Sequence, residues 1–89
     1  MNGETENRLD GNALAGPLGQ IFAADITTAG LTCVSCGRKQ LLAAVDVYPG
    51  GPGQTARCIG CHDVLLRVAS TPGHVYLDLR GTMSLRLSL

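Results

Sequence analysis

Apolar and polar positions alternate through most of the C-terminal half of the chain. Val64, Leu66 and Val68 fall on one side of an extended run, with Leu65, Arg67 and Ala69 on the other. Val75, Leu77 and Leu79 alternate with Tyr76, Asp78 and Arg80, and Met83, Leu85, Leu87 and Leu89 with Ser84, Arg86 and Ser88. A period of two marks half-buried strands. Thr71-Pro72-Gly73 and Gly81-Thr82 separate the runs with turn residues. Together they predict an antiparallel meander with one apolar and one polar face. Asp78, Arg80, Arg86 and Arg67 lie on the polar face, where cross-strand ion pairing accounts for them.

The same alternation covers Lys39 to Tyr48, where Leu41, Ala43, Val45 and Val47 interleave with Leu42, Ala44, Asp46 and Tyr48. Pro49-Gly50-Gly51-Pro52-Gly53 breaks it, and Gln54 to Arg57 is read as the returning strand. Ile26, Thr27 and Thr28 suit an extended segment, and Gly30 a turn. Nearer the N-terminus the period changes: Leu14, Leu18, Ile21 and Phe22 fall at helical spacing, with Asp10 and Asn12 as candidate caps. Gly16-Pro17 interrupts, so the pattern predicts one kinked helix or two short ones, the second running from Pro17 to Ala24. Their apolar stripe is expected to be core, packed on the sheet. The expected architecture is mainly β with a short N-terminal helical segment. A polar, frayed terminus covers residues 1–8. One domain follows over 9–89, helical in 9–24 and antiparallel strands in 31–89.

Composition narrows the picture. The 89 residues are 45% hydrophobic and 16% charged, and Phe22, Tyr48 and Tyr76 are the whole aromatic set, so the core must be aliphatic. A chain this short buries only about two-thirds of its unfolded surface, and a covalent or metal staple commonly supplements such cores. Seven basic and seven acidic side chains balance, which does not describe a surface that neutralises a run of phosphates. Residues 1–10 are polar and carry Glu4, Glu6 and Asp10, unlike a secretory signal. No apolar run approaches a membrane span. A reducing cytoplasm is therefore the expected setting, where paired cysteines favour metal over disulfides.

The four cysteines change the picture most. C-V-S-C-G at 33–37 and C-I-G-C at 58–61 hold all of them, with 21 residues between Cys36 and Cys58. Two C-x-x-C pairs flanking a hairpin have the spacing of a four-cysteine metal ribbon. A tight turn can aim both thiolates of a pair at one ion, and Gly37 follows Cys36 where such a turn often needs positive φ. The second pair departs from this form: Gly60 lies inside it, and His62 stands where a glycine often does. Cys33, Cys36, Cys58 and Cys61 are the expected ligands of one structural zinc. Iron in a rubredoxin-like site uses the same four thiolates, though such sites are usually wrapped in aromatics. Two disulfides would suit a secreted chain. With zinc bound, four thiolates and a dication leave the chain at about −2.

Four cysteines close a tetrahedral shell and leave no position for water or substrate. His62 and His74 are the only imidazoles, the first read as a residue beside the ligands and the second as a solvated turn residue. No phosphate-cradling, zinc-protease or nucleophile-elbow motif occurs, and Asp25, Asp46, Asp63 and Asp78 are scattered. The chain is not expected to be an enzyme, and no small-molecule substrate is evident.

L-D-G-N-A-L-A-G-P-L at 9–18, C-V-S-C-G at 33–37, R-C-I-G-C at 57–61, V-L-L-R-V at 64–68 and L-D-L-R-G at 77–81 together resemble a family of small actinobacterial proteins with two C-x-x-C knuckles. The likeness runs from Leu9 onward. It implies a cytoplasmic zinc-ribbon-like protein, a domain of unknown function, and supplies no substrate or catalytic residue. A structural zinc ribbon acting in protein interaction or regulation follows, its sheet edges being of the kind a protein partner can extend. The alternative is a nucleic-acid-binding ribbon of the transcription or translation type, supported by Arg38, Lys39 and Arg57 beside the knuckles. A thiol redox sensor is the third class and needs an exposed cysteine of low pKa.

Overall fold

The computed structural model describes residues 9–19, 21–22, 25–51 and 53–88. In chain order its strands are β1 (Leu9–Asp10), β2 (Gly30–Cys33), β3 (Lys39–Leu41), β4 (Asp46–Gly50), β5 (Gly53–Arg57), β6 (Val64–Thr71), β7 (His74–Asp78) and β8 (Thr82–Arg86). One short helix, α1 (Ala15–Gly19), and 3-10 turns at Gly11–Leu14, Ile26–Thr28 and Leu42–Ala44 complete the set. Strands make up 49% of the described residues, so the mainly β reading stands. They form two antiparallel sheets, ordered β1-β4-β5-β6-β7 and β3-β2-β8.

The predicted meander is thus only partly present. β6 and β7 form a hairpin closed by Pro72-Gly73, but β8 leaves them and pairs with β2 in the other sheet, Gly30 opposite Arg86 and Thr32 opposite Ser84. The crossing is made at Gly81. Its backbone lies so close to the Val64 carbonyl that a Cβ would collide with it. Gly81 donates its N–H to the Leu65 carbonyl at 3.1 Å and accepts from the Val34 N–H at 3.0 Å. Thr82 Oγ1 adds a bond to the Leu65 carbonyl at 2.9 Å. One glycine therefore ties β6 to the segment carrying the first cysteine pair.

Lys39 to Tyr48 is not one strand. A 3-10 turn at Leu42–Ala44 divides it and shifts the phase, so Leu42, Val45 and Val47 are buried while Leu41 is 53% exposed. Ile26–Thr28 is a turn rather than extended, because the Asp25 carboxylate accepts from both the N–H and the hydroxyl of Thr27. Gly30 lies in β2 and not in a turn. Pro49 and Gly50 belong to β4, beyond the stretch that β1 covers, where a residue without an N–H is tolerated at a free edge.

At the N-terminal end Asp10 caps the first 3-10 turn by accepting from the Asn12 N–H at 3.0 Å. Pro17 does not break the helix. It is the third residue of α1, and N–H groups of a first turn lack intrahelical partners in any case. Leu14 and Leu18 are buried and Phe22 packs against them, but Ile21 is 41% exposed. The end of the predicted helix at Ala24, the frayed residues 1–8 and Leu89 lie outside the described residues.

Leu14, Leu18, Ile26, Leu31, Leu42, Val45, Val47, Leu65, Leu66 and Val68 form an aliphatic core together with Cys33 and Cys58. A register shift at Ala56/Arg57 lets the neighbours Leu65 and Leu66 both be buried. On the polar face Arg67 stands opposite Asp78 across β6 and β7 and helps hold its carboxyl low. The close ion pair of Asp78, however, is with Arg80, two residues on in the same turn. No helix among the described residues is long and apolar enough to cross a membrane.

Candidate metal centre

Each cysteine pair sits on a turn that closes the end of a strand, and the two turns are built alike. At the end of β2, Cys33 donates its N–H to the Arg38 carbonyl at 2.9 Å and accepts from the Gly37 N–H at 2.9 Å. After β5, Cys58 donates to the Asp63 carbonyl at 2.9 Å and accepts from the His62 N–H at 3.0 Å. Gly37 has φ 77° and His62 has φ 67°. The histidine that breaks the sequence repeat is therefore glycine's conformational equivalent, and its side chain is exposed.

These turns bring all four predicted site residues together. The four Sγ atoms lie within 4.8 Å of one another. Cys33 Sγ is 3.7 Å from Cys61 Sγ, and Cys36 Sγ is 3.7 Å from Cys58 Sγ. A tetrahedron with metal–sulfur bonds of about 2.3 Å places its sulfurs about 3.8 Å apart, so the cluster has the size a thiolate-bound ion requires. The cysteines are free, with Cys33 and Cys58 buried and Cys36 and Cys61 exposed. Each turn thus contributes one sulfur from the core and one from the surface. Cys33 belongs to one sheet and Cys58 follows the last strand residue of the other, so the cluster sits on the seam between two sheets rather than at one end of a single larger sheet.

Gln40 completes the site and was not singled out by sequence reasoning. It lies in β3 with only 8% of its surface exposed. Its Nε2 donates to Cys58 Sγ at 3.3 Å, and its Oε1 accepts from the Ile59 N–H at 3.1 Å. A residue of one sheet thereby braces the turn of the other. The Gly60 N–H also donates to Cys58 Sγ, at 3.3 Å. The available signal was a lone amide between charged Lys39 and apolar Leu41, four positions after Cys36.

These donors set the electrostatics. Burial of Cys58 disfavours its thiolate, but hydrogen bonds from Gln40, the Cys61 and Gly60 N–H groups and Cys36 outweigh it and bring the thiol down to about 6. At Cys61 the Asp63 N–H favours ionisation, yet burial and the three neighbouring sulfurs push it up to about 12. Four thiols this close cannot all ionise without a cation among them.

Residues 4–89 match a family described as Family of unknown function (DUF6510). The chain belongs to that family. No curated protein and no solved structure matches it. Two of the segments that carry the resemblance, outside the knuckles, have structural roles in this DUF6510 member. L-D-G-N-A-L supplies β1, the Asp10 cap and Gly11, which packs against the Leu42 carbonyl too closely for a side chain. In L-D-L-R-G, Leu77 and Leu79 pack on the core, Asp78 and Arg80 clasp each other, and Gly81 makes the crossing.

The basic residues beside the knuckles have different surroundings. Arg57 donates to the His62 carbonyl at 2.9 Å and lies 5.9 Å from the centre of the Tyr48 ring. The stem of Arg38 covers Gly60, where a Cβ would meet its Cδ at 3.0 Å. Lys39 is exposed in β3. His74, exposed at the start of β7, stacks on Tyr76 with ring centres 6.1 Å apart.

Proposed function

We propose that Cys33, Cys36, Cys58 and Cys61 hold one zinc ion as a structural staple, and that the chain is a non-catalytic zinc-ribbon-like module for protein interaction or regulation. The observation that carries this is the closed set of four sulfurs on the seam between the sheets. Four protein thiolates fill a tetrahedral shell, which is the form of structural zinc sites, whereas catalytic zinc keeps an open position. Zinc in small peptides supplies on the order of 10 kcal/mol of apparent folding free energy, comparable to the whole stability of a small domain. A staple is sufficient use for all four cysteines, and free thiols at this density suit a reducing, cytoplasmic setting. Elemental analysis of the purified protein is expected to find one zinc per chain, lost together with the fold on chelation. Iron, or two disulfides without metal, would overturn the proposal.

A nucleic-acid-binding ribbon is the second reading, and one surface favours it. Lys39 and Arg86 flank a hollow of about 420 Å³ on the outer face of β3-β2-β8, lined also by Gly30, Thr32 and Ser84. Arg38 and Arg57, the other basic residues near the site, are engaged within the chain. Binding of DNA or RNA that weakens with salt supports this reading, and no binding at low salt removes it. Redox sensing draws no comparable support: the thiol held low, Cys58, is buried, and exposed Cys61 is pushed up to about 12.

A further inference from the structure

Exposed sheet edges are templates for pairing, and folded proteins blunt them with short strands, charged side chains (lysine above all), proline or bulges. The two sheets have four edges. β1 is two residues long, and Pro49 stands in the part of β4 beyond it. β3 is three residues long and carries Lys39. β8 carries Arg86, and its ladder with β2 has a register shift at Thr32/Cys33. β7 is the edge least blunted: it has no proline or bulge, and its one carboxylate, Asp78, stands at its last residue and is held by Arg80. His74-Val75-Tyr76-Leu77-Asp78 pairs without irregularity on β6, and no described strand pairs with its other side. Val75 is 36% and Tyr76 60% exposed.

The register of β7 settles which backbone groups are free. Pro72-Gly73 is a two-residue turn closed by the pair Thr71 and His74, and such turns are closed by a hydrogen-bonded pair. Hydrogen-bonded pairs then alternate along an antiparallel ladder. His74, Tyr76 and Asp78 face β6, while Val75 and Leu77 turn their N–H and C=O groups outward.

We propose that a second copy of this chain pairs with that edge, β7 against β7 antiparallel, about a two-fold axis at Tyr76. The proposal deepens the interaction reading above by naming the partner. Centred there, Val75 stands opposite the partner's Leu77 and Leu77 opposite the partner's Val75. These are the residues with outward groups, and they supply four backbone hydrogen bonds. His74 falls opposite the partner's Asp78 at both ends. Asp78 already accepts from Arg80 and faces Arg67 across β6, yet an ionised carboxylate has room for a further donor. Tyr76 meets the partner's Tyr76 at a position without backbone bonds, where side chains approach most closely and aromatic pairs are favourable. Val75 and Leu77, on the other face, extend the apolar side of the sheet across the axis. The two five-stranded sheets become one continuous sheet. An edge contact of this kind is small, so the association depends on concentration.

The test uses the full metal-loaded chain. Sedimentation is expected to show a concentration-dependent dimer that Val75→Pro abolishes, because proline removes an outward N–H and no bond to β6. Tyr76→Cys is expected to give a disulfide-linked dimer under mild oxidation, since opposed positions without backbone bonds lie about 4.5 Å apart at Cα, within reach of a disulfide. His74→Cys gives none, its two copies being about 14 Å apart along the pair. A wild-type chain that stays monomeric up to millimolar concentration overturns the self-pairing. So does a dimer that survives Val75→Pro in folded form, or one linked as readily through His74→Cys. If Val75→Pro does not fold, the two cysteine variants decide. Zinc content and its loss on chelation are measured separately, so failure of the self-pairing and failure of the staple proposal give different results.

Discussion

Gly37 and His62 occupy the same step of two matching turns, and each donates its N–H to the carbonyl of the cysteine that opens its turn. Both backbones are left-handed. Glycine enters that region freely, whereas another residue bears a cost of about 1–2 kcal/mol. His62→Gly is expected to raise the stability of the metal-loaded chain by about 1 kcal/mol, part of the relief being offset by glycine's greater freedom when unfolded. Gly37→Ala should lower it by about as much. Opposite shifts of the urea midpoint at constant slope would be the signature.

Gln40 is the only described side chain outside the cysteines to reach a sulfur. Gln40→Leu keeps most of the volume but leaves the Ile59 N–H without its acceptor and Cys58 without a donor. An unmade buried bond costs about 1–3 kcal/mol, and loss of an outer partner weakens metal binding by about 10–100-fold. Competition with a chromogenic zinc chelator should show the variant releasing its metal first.

Removal of the metal should not loosen the molecule evenly. β6 places Leu65, Leu66 and Val68 in the core and is paired on both sides, by β5 and β7, while β2 places Leu31 and Cys33 there and β3 pairs with β2 alone. Hydrogen exchange after chelation is expected to speed up first in β2, β3 and residues 33–38, with β6 protected longest. Uniform loss of protection would contradict the seam as the weak point.

Gly81→Ala places a methyl group against the Val64 carbonyl. Backbone must move to admit it, at a cost of about 1–3 kcal/mol. The variant should unfold earlier and still bind one metal, which separates damage at the crossing from damage at the cluster.

Asp78 gives a pH signature. Hydrogen bonds from Arg80, side chain first and then backbone, hold its carboxyl down to about 2 against an ordinary 3.8. Because the folded value is the lower one, the contribution of this turn is fully present above about pH 4 and lost as the pH falls toward 2. An NMR titration should place Asp78 near the lower value, and Arg80→Ala should return it toward the ordinary one. No shift on that substitution would count against the clasp.

Much of the strand content, the β6–β7 turn and the four-cysteine cluster could be read from residues alone. Local rules govern those features: alternation marks a half-buried strand, Pro-Gly marks a reversal, and C-x-x-C marks a turn with two inward sulfurs. The misreadings share another cause. Leu41 and Leu42 are equivalent to a pattern of period two, and only the 3-10 turn behind them decides which is buried. Nothing near residues 82–86 says that their partner is β2 rather than adjacent β7, because that choice is made by backbone contact at Gly81. Gln40 escaped for the same reason: its partners belong to the opposite sheet.

β2 also carries a consequence for the order of synthesis. Its neighbours are β3, which follows within a few residues, and β8, which emerges from the ribosome long afterwards. All four cysteines have been translated by then. An ion captured by the nascent chain would moor β2 to the hairpin of β4 and β5 while its second neighbour is still unmade. Starved of metal, a growing chain would spend that interval with one side of β2 unclaimed, and this is when it is most open to pairing with the wrong strand.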